Sequence, residues 1–124
     1  MVLFGRLEKK LADMLDKYNG EFAVQSFNPF VINWFKKNRK QILRGQLSAG
    51  FKNENFVKRF FLKNMILNFI TKPDFISYAV NDLDFKKARK IRKNKLLLGW
   101  TVRTEEQKEK FIKEYDNLIC ENIL

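Results

Sequence analysis

The feature that most constrains the fold is a cycle of short β-prone segments and amphipathic helical segments that recurs along 124 residues. Strands are predicted at residues 21–27, 41–47, Phe75–Val80 and Leu96–Val102, with a short terminal strand within 117–124. Strands that alternate with helices at this spacing favour βαβ units and a parallel sheet. Four such units after an opening helix predict an α/β protein, a single domain over residues 1–124, with the architecture of half a TIM-type (β/α)8 barrel.

The opening helix is predicted from apolar residues at helical spacing, with Gly20 at its C-terminal cap. These residues are Phe4, Leu7, Leu11, Met14, Leu15 and Tyr18. In the next helix, Asn28 is the predicted cap and Pro29 occupies the first turn. Its expected packing residues are Phe30, Val31, Trp34 and Phe35.

Three further helices complete the cycle. One begins at Asn53 or Asn55 and runs through Phe69, and a strongly basic one runs from about Asp84 to Lys93 with Phe85, Ala88 and Ile91 on its inner side. Thr104 and Gln107 form a capping box for the last helix. Its expected packing residues are Phe111, Ile112 and Tyr115.

The net charge and the cysteine content restrict the partners and the cellular location expected for this chain. Twenty-five Lys and Arg against 14 Asp and Glu give a net charge of +11, which favours anionic partners. The single cysteine, Cys120, excludes an intrachain disulfide, and its apolar neighbours predict a small buried core residue. The reducing compartment that this cysteine usage indicates, and the absence of an 18-residue apolar run or a secretory h-region, favour a cytoplasmic location with possible membrane association.

Two ordered segments resemble a known family. The strand end at 22–29, FAVQSFNP, is similar to the Ser-Phe strand of the glycerophosphodiester phosphodiesterases, and 98–104, LGWTVRT, is similar to their Trp-Thr-Val strand. The segment Pro73–Tyr78 precedes the second at a family-like distance. The resemblance covers 3–122 and corresponds to the C-terminal half of that family's barrel.

The resemblance implies metal-dependent hydrolysis of glycerophosphodiesters to an alcohol and glycerol 3-phosphate for the full-length parent, with calcium or magnesium as the metal. The family's catalytic residues, a His-Arg-Gly strand, a Glu-x-Asp pair and a second His, belong to the first half of the barrel. This chain contains no His, so none can be carried over. Phosphodiester hydrolysis needs acid–base groups and charge stabilisation on the phosphoryl oxygens. We therefore expect no catalytic residue, no metal ligand and no cofactor in this chain, and no activity of the chain alone.

The resemblance implies that this half of the barrel contributes side chains that border the substrate, which we call the substrate wall. Phe27 and Trp100 are expected to border the alcohol end of the substrate, with Ser26 beside them, because parallel barrels place binding residues at the C-terminal ends of their strands. The alternatives are that both aromatic side chains fill the core and that Ser26 bonds a local backbone group.

Two charged segments have plain structural explanations. The basic run 86–95 is explained as one barrel helix with a solvated outer face, and no nucleic-acid module accompanies it. Asp82 and Asp84 are expected to be helix caps rather than metal ligands. A non-catalytic interaction module and a basic membrane- or nucleic-acid-binding protein remain the alternative functions, although the sequence favours no nucleic-acid partner.

The predicted half-barrel has two open sheet edges and an uncovered interior. We expect either a homodimer or pairing with a missing N-terminal half-barrel. In the full-length parent, the complete barrel would bind the glycerophosphodiester substrate. A monomer closed by the opening helix or by the 117–124 tail is the alternative.

Overall fold

The computed structural model describes residues 5–50 and 68–122. Helices and strands alternate along these residues, as the sequence predicts. Their bounds are α1 Arg6–Leu15, β1 Ala23–Ser26, α2 Pro29–Asn38, β2 Leu43–Ser48, α3 Asn68–Thr71, β3 Phe75–Ala79, α4 Phe85–Arg92, β4 Leu96–Val102, α5 Glu105–Phe111 and β5 Asn117–Cys120.

The five strands form one sheet in the order β1-β2-β3-β4-β5, and all four neighbouring pairs are parallel. The sheet curls, with its helices, into half of a TIM-type barrel, which confirms the predicted fold class. The predicted terminal strand is present as β5. Because successive side chains of a strand point to opposite sides, each strand offers one set of residues to the helices and one to the concave side.

Two apolar clusters fill the space between the sheet and its helices. The larger joins β3, β4, α4 and α5 and consists of Ile76, Tyr78, Val80, Leu83, Ala88, Leu97, Val102, Phe111 and Tyr115. The smaller joins α1, α2 and the residue just before β2 through Ala12, Phe35 and Ile42. Leu97 and Tyr78 are fully buried, so β3 and β4 are the central strands of the packed half.

The opening helix departs from the prediction in two ways. It ends at Leu15, with Asp16 rather than Gly20 at its C-terminal cap. Its buried side is formed by Glu8 and Ala12, whereas the predicted packing residues Leu7, Leu11, Met14 and Tyr18 are exposed. Helical spacing identifies residues that share a face, but the neighbour that would cover this face is not among the described elements. Phe4 lies outside the described residues.

In α2 the N-terminal signals are confirmed and the packing face is partly wrong. Asn28 Oδ1 accepts a hydrogen bond from the Phe30 amide at 2.9 Å, and Pro29 begins the helix. Phe35 is buried as predicted, but Ile32 takes the other fully buried position and Phe30 is exposed. Val31 and Trp34 are half-buried and pack against the same cluster as Phe35, so the prediction is confirmed for three of its four residues and wrong for Phe30.

The later helices follow the prediction closely. Asp84 caps α4 by accepting the Lys87 amide at 2.9 Å, and Phe85, Ala88 and Ile91 pack inward. The predicted helix that begins at Asn53 or Asn55 lies outside the described residues except for its last turn, α3.

In α5 the Thr104 hydroxyl accepts the Gln107 amide at 3.1 Å, but the Gln107 side chain accepts from Arg103, one residue before the capping position. Phe111 and Tyr115 are buried as predicted. Ile112, at the C-terminal cap of the helix, is exposed, contrary to the prediction.

Cys120 is exposed, contrary to the prediction of a buried core residue. It lies in β5, which among the described strands pairs with β4 alone. Apolar sequence neighbours are typical of a buried residue in a central strand, but β5 lies at an edge of the described sheet, so the prediction is wrong for Cys120.

No helix among the described residues is long and apolar enough to cross a membrane.

Candidate functional site

The carboxyl ends of the strands meet at one end of the half-barrel, because the strands are parallel. We call this end the mouth, defined by the last residues of β1 to β4 and the residues that directly follow them. Binding residues of parallel barrels lie at this end. Phe27 follows β1 directly, and Trp100 lies in the last part of β4.

Alternation along the strands fixes which side each of these residues faces. Val24 packs on the helix side of β1, so Phe27 faces the concave side. In β4, a side chain at Gly99 would meet Tyr115 on the helix side, so Trp100 also faces the concave side. Both predicted wall residues therefore open onto the same surface.

The two rings are in contact across the mouth. Their centroids are 5.7 Å apart with an interplanar angle of 78°, an edge-to-face arrangement. Two strands separate β1 from β4, so in a flat sheet the corresponding backbones would be roughly 14 Å apart. The curl of the sheet and the length of the two side chains close that gap, and the rings form an aromatic wall, here defined as Phe27 and Trp100.

Hydrogen bonds hold the wall in place. The Trp100 indole Nε1 donates to the Ser77 carbonyl oxygen at 3.0 Å, which fixes the ring over β3. Gln46 Nε2 donates to the carbonyl oxygens of Ser26 and Phe27 at 3.1 and 3.0 Å. Gln46 is buried, so it anchors the chain where β1 ends. The sequence signal for Gln46 was its position at a strand end, but no family motif marked it.

Part of the wall remains accessible. Phe27 is 39% exposed, and Trp100 is half-buried. Aromatic faces of this kind orient a ligand by apolar contact and transfer no proton. The aromatic wall is therefore suited to contact a ligand but not to catalyse a reaction.

Ser26 is not brought together with the two rings. Its hydroxyl oxygen accepts a hydrogen bond from the Asn28 amide at 3.1 Å, a local contact that supports the turn into α2. Because Ser26 neighbours Phe27 in an extended segment, its side chain points to the helix side of the sheet. The geometry matches the local backbone role that the sequence left open for it.

Buried hydroxyl groups lie under the mouth. Tyr78 is buried on the helix side, where burial raises the pKa of its phenol to about 12 against the opposing effect of a hydrogen bond with Ser48. Tyr115 is buried in the same cluster, and burial raises its pKa to about 12 as well. Both phenols are neutral near pH 7 and are structural groups rather than general acids or bases.

The acidic residues near the mouth are occupied by backbone groups. Asp84 caps α4 as predicted, whereas Asp82 does not cap that helix and its Oδ2 instead accepts the Gly50 amide at 3.0 Å. Among residues 5–50 and 68–122, no three His, Cys, Asp or Glu side chains lie close enough to hold a metal ion. The described residues therefore do not fit the divalent metal that the resemblance implies for the full-length family.

The basic helix α4 is bound to the body of the protein by two of its arginines. Arg89 donates two hydrogen bonds to Glu114 at 2.9 and 2.8 Å, and hydrogen bonding to Arg89 lowers the pKa of Glu114. Arg92 pairs with Asp116 at 3.1 Å. These contacts, together with the buried Ala88, are those of a barrel helix with a solvated outer face.

An open cleft of about 630 Å³ lies at the opposite end of the strands, lined by Leu15, Phe22, Gln41, Ile42 and Leu43 among others. This is the amino-terminal end of β1 and β2. Residues at that end of a parallel barrel serve stability rather than binding, so the mouth is the better candidate site.

Comparison with known proteins identifies the fold. No protein-family model matches the sequence, and no curated protein matches it. Among solved structures, a putative glycerophosphoryl diester phosphodiesterase from Silicibacter pomeroyi DSS-3 superposes with a TM-score of 0.67 at 12% identity, over 79% of this chain and 33% of that one. A phosphodiesterase from Oleispira antarctica, in complex with the product sn-glycerol 3-phosphate, superposes with a TM-score of 0.70 at 14% identity, over 91% and 44% of the two chains.

A third structure is a regulator. The glycerol uptake operon antiterminator regulatory protein from Listeria monocytogenes 4b F2365 superposes with a TM-score of 0.65 at 16% identity, over 98% of this chain and 64% of that one. The chain thus spans between a third and two-thirds of the length of these structures. At such low identities the likeness shows the fold alone, which is about half of a TIM-type barrel.

Proposed function

We propose that this chain is the C-terminal, substrate-binding half of a glycerophosphodiester phosphodiesterase-type barrel and that it binds the alcohol end of the substrate without catalysing hydrolysis by itself. The observation that carries the proposal is the contact between Phe27 and Trp100 at the mouth. These are the two residues that the resemblance assigns to the substrate wall, and they come from strands that are not neighbours in the sheet.

Chemistry supports a binding role over a catalytic one. The chain has no His, and the carboxylates of Asp82 and Asp84 accept backbone amides. Proton transfer to a leaving alkoxide needs a positioned group of suitable pKa, typically worth about 100- to 10,000-fold in rate. The catalytic groups and a divalent metal would come from an N-terminal half-barrel, as the resemblance implies.

Binding can be tested with the two tryptophans. In a Trp34→Phe variant, Trp100 is the remaining tryptophan, so its fluorescence reports on the wall. We expect sn-glycero-3-phosphocholine to change that fluorescence saturably, and to leave the fluorescence of the matched Trp100→Phe variant, which retains Trp34 in the smaller core cluster, unchanged. Equal responses of the two variants, or no response of either, would contradict the proposal.

Catalysis is tested separately. The purified chain with added calcium or magnesium is expected to release no glycerol 3-phosphate above a control that contains chelator. When an N-terminal half-barrel that carries the catalytic groups is supplied, hydrolysis should appear, and Trp100→Ala should lower kcat/KM by about tenfold through the lost apolar contact. Hydrolysis by the chain alone would show that it holds catalytic groups of its own.

A non-catalytic interaction module is the second candidate. It is favoured by the structural likeness to the antiterminator regulatory protein, which covers 98% of this chain. Ligand binding at Trp100 that persists without any hydrolysis in the presence of the N-terminal half would favour this function over the first.

A further inference from the structure

The sheet has two open edges. Within the described residues, β1 pairs with β2 on one side and β5 pairs with β4 on one side. The outer sides of both strands present backbone groups without a neighbouring strand, which is an arrangement that proteins normally cover. Leu43 and Leu96 on the concave side are exposed as well, so the interior of the half-barrel is also uncovered.

Helix α1 carries an exposed apolar stripe at the β1 edge of the sheet. Leu7, Leu11 and Met14 are spaced by four and three residues and share one face, and Leu7 and Met14 are 75% and 65% exposed. The side of α1 toward α2 is a different one, because Asp13 and Asp16 pair there with Arg39. The α1 stripe, defined as Leu7, Leu11 and Met14, therefore faces the open edge.

The position of α1 specifies what the stripe should contact. In a parallel barrel, the helix that leads into a strand also covers the strand that precedes it in the sheet. For α1 that preceding strand is absent from the described sheet, since β1 is its first strand. Among the described strands, the α1 stripe therefore lacks an edge strand to pack on. At the opposite edge of the sheet, β5 is a strand with an uncovered outer face.

Charges at the two edges are complementary. Beside the stripe, α1 exposes Arg6 and Lys10, and Lys17 follows the end of the helix. None of the three takes part in an ion pair recorded for residues 5–50 and 68–122. At the other edge, α5 exposes Glu106 and Glu109, which are likewise outside those ion pairs. Helix α5 also exposes Lys108, which pairs with Glu105, and Lys110, which lies over the Phe111 ring. The carboxylates of Glu106 and Glu109 can still meet the basic residues of α1, which favours a head-to-tail contact between the edges.

We propose that the occupant of both edges is a second copy of this chain, related by a two-fold axis along the barrel. Such an axis preserves the strand direction, so β5 of one copy lies parallel to β1 of its partner, twice per dimer. Helix α1 of each copy then covers the outer face of the partner's β5 and lies beside the partner's α5. This inference rests on the fold and on the two edges, and not on the proposed substrate. An N-terminal half-barrel supplied for the hydrolysis test would compete with the second copy for the same edges.

The partner also covers two features that the single chain leaves exposed. Cys120 lies in β5 with an exposed side chain, beneath the place where the partner's α1 docks. The mouth gains the strand ends of a second sheet beside Phe27 and Trp100, so the aromatic wall faces an enclosed space. Repulsion between two chains of +11 opposes assembly, but at about 0.15 M salt it is screened beyond roughly 8 Å.

The test compares matched variants of the full chain by light scattering over a wide concentration range. We expect the mass of two chains for the wild type. Met14→Glu should weaken the dimer by about 100-fold or more, because each dimer contains the substitution twice and a charge replaces a buried side chain. Ile70→Glu is the matched control: Ile70 is also apolar and 57% exposed, but it lies in α3, which packs on α2 away from both edges.

Charge exchange tests the arrangement directly. A chain with Arg6, Lys10 and Lys17 changed to Glu should become monomeric, and so should a chain with Glu106 and Glu109 changed to Lys. When the two variants are mixed, both contacts of the dimer again join opposite charges, and a heterodimer should form in native mass spectrometry. The reaction of Cys120 with a thiol reagent should slow as wild-type concentration rises, and should stay fast in Met14→Glu.

A single-chain mass for the wild type at all concentrations would overturn the inference. A dimer that Met14→Glu and Ile70→Glu weaken equally, or charge variants that do not recombine, would overturn the proposed pairing of edges. Since none of these measurements involves a ligand, the inference can fail while the proposed binding of a glycerophosphodiester holds, and the reverse is equally distinguishable.

Discussion

The contact between Phe27 and Trp100 can be measured as a coupling free energy. We consider Phe27→Leu, Trp100→Leu and the double variant, each of which removes aromatic character while keeping an apolar side chain. If the rings meet as in the structure, the loss of stability in the double variant should differ from the sum of the two single losses.

The geometry sets the expected size. Edge-to-face pairs with centroids 4.5–7 Å apart contribute about 0.5–1.5 kcal/mol beyond their buried area, and the observed separation is 5.7 Å at 78°. Because Phe27 is 39% exposed, we expect the coupling near about 0.5–1 kcal/mol, the lower part of that range. The Trp100 substitution alone should cost about 2 kcal/mol, since it also removes the hydrogen bond to Ser77.

The assay is urea unfolding followed by far-ultraviolet circular dichroism, which does not depend on the substituted tryptophan. All variants are compared at one protein concentration, because self-association would add to apparent stability. The control cycle combines Phe27→Leu with Phe85→Leu, whose ring packs on Phe111 on the helix side of the sheet. We expect no coupling there.

A Phe27–Trp100 coupling below about 0.3 kcal/mol, the usual error of additivity, would refute the reasoning. It would mean that the rings do not meet in solution and that the sheet does not curl enough to join the ends of β1 and β4. The aromatic wall would then no longer support the proposed function.

Two further predictions concern the packed half of the sheet. Asp116 accepts the Leu97 amide at 2.7 Å and pairs with Arg92, so Asp116→Ala should lower the unfolding free energy by about 1–3 kcal/mol, while Asp116→Asn, which keeps an acceptor, should cost less than half of that in the same unfolding experiment. Because burial raises the pKa of Tyr78 and Tyr115 from 10.0 to about 12, folding favours the neutral phenols: their contribution is intact below pH 10 and should be lost between about pH 10 and 12, by up to roughly 2–3 kcal/mol each. Unfolding free energies measured across that range check this, and a stability that does not fall above pH 10 would contradict it.

Much of the fold could be predicted from the sequence because its signals are local. The bounds of β4, Leu96–Val102, agree with the prediction. A short, nearly continuous apolar run is typical of a strand in a parallel sheet, which is buried on both faces. Asn28, Asp84 and Thr104 cap their helices as expected, because a cap depends on residues two or three positions away. The resemblance predicts Phe27 and Trp100 as wall residues, and the same local signals predict their positions at strand ends.

The tertiary structure decided what depends on distant neighbours. Spacing placed Leu7, Leu11 and Met14 on one face of α1, but which face is buried depends on the elements beside it, and the structure leaves this one exposed. The exposure of Cys120 follows likewise from the edge position of β5. Periodicity determines which residues share a face, whereas the curl of the sheet and the order of its strands determine what each face meets; the contact of Phe27 with Trp100 exists only because that curl brings two separated strands together.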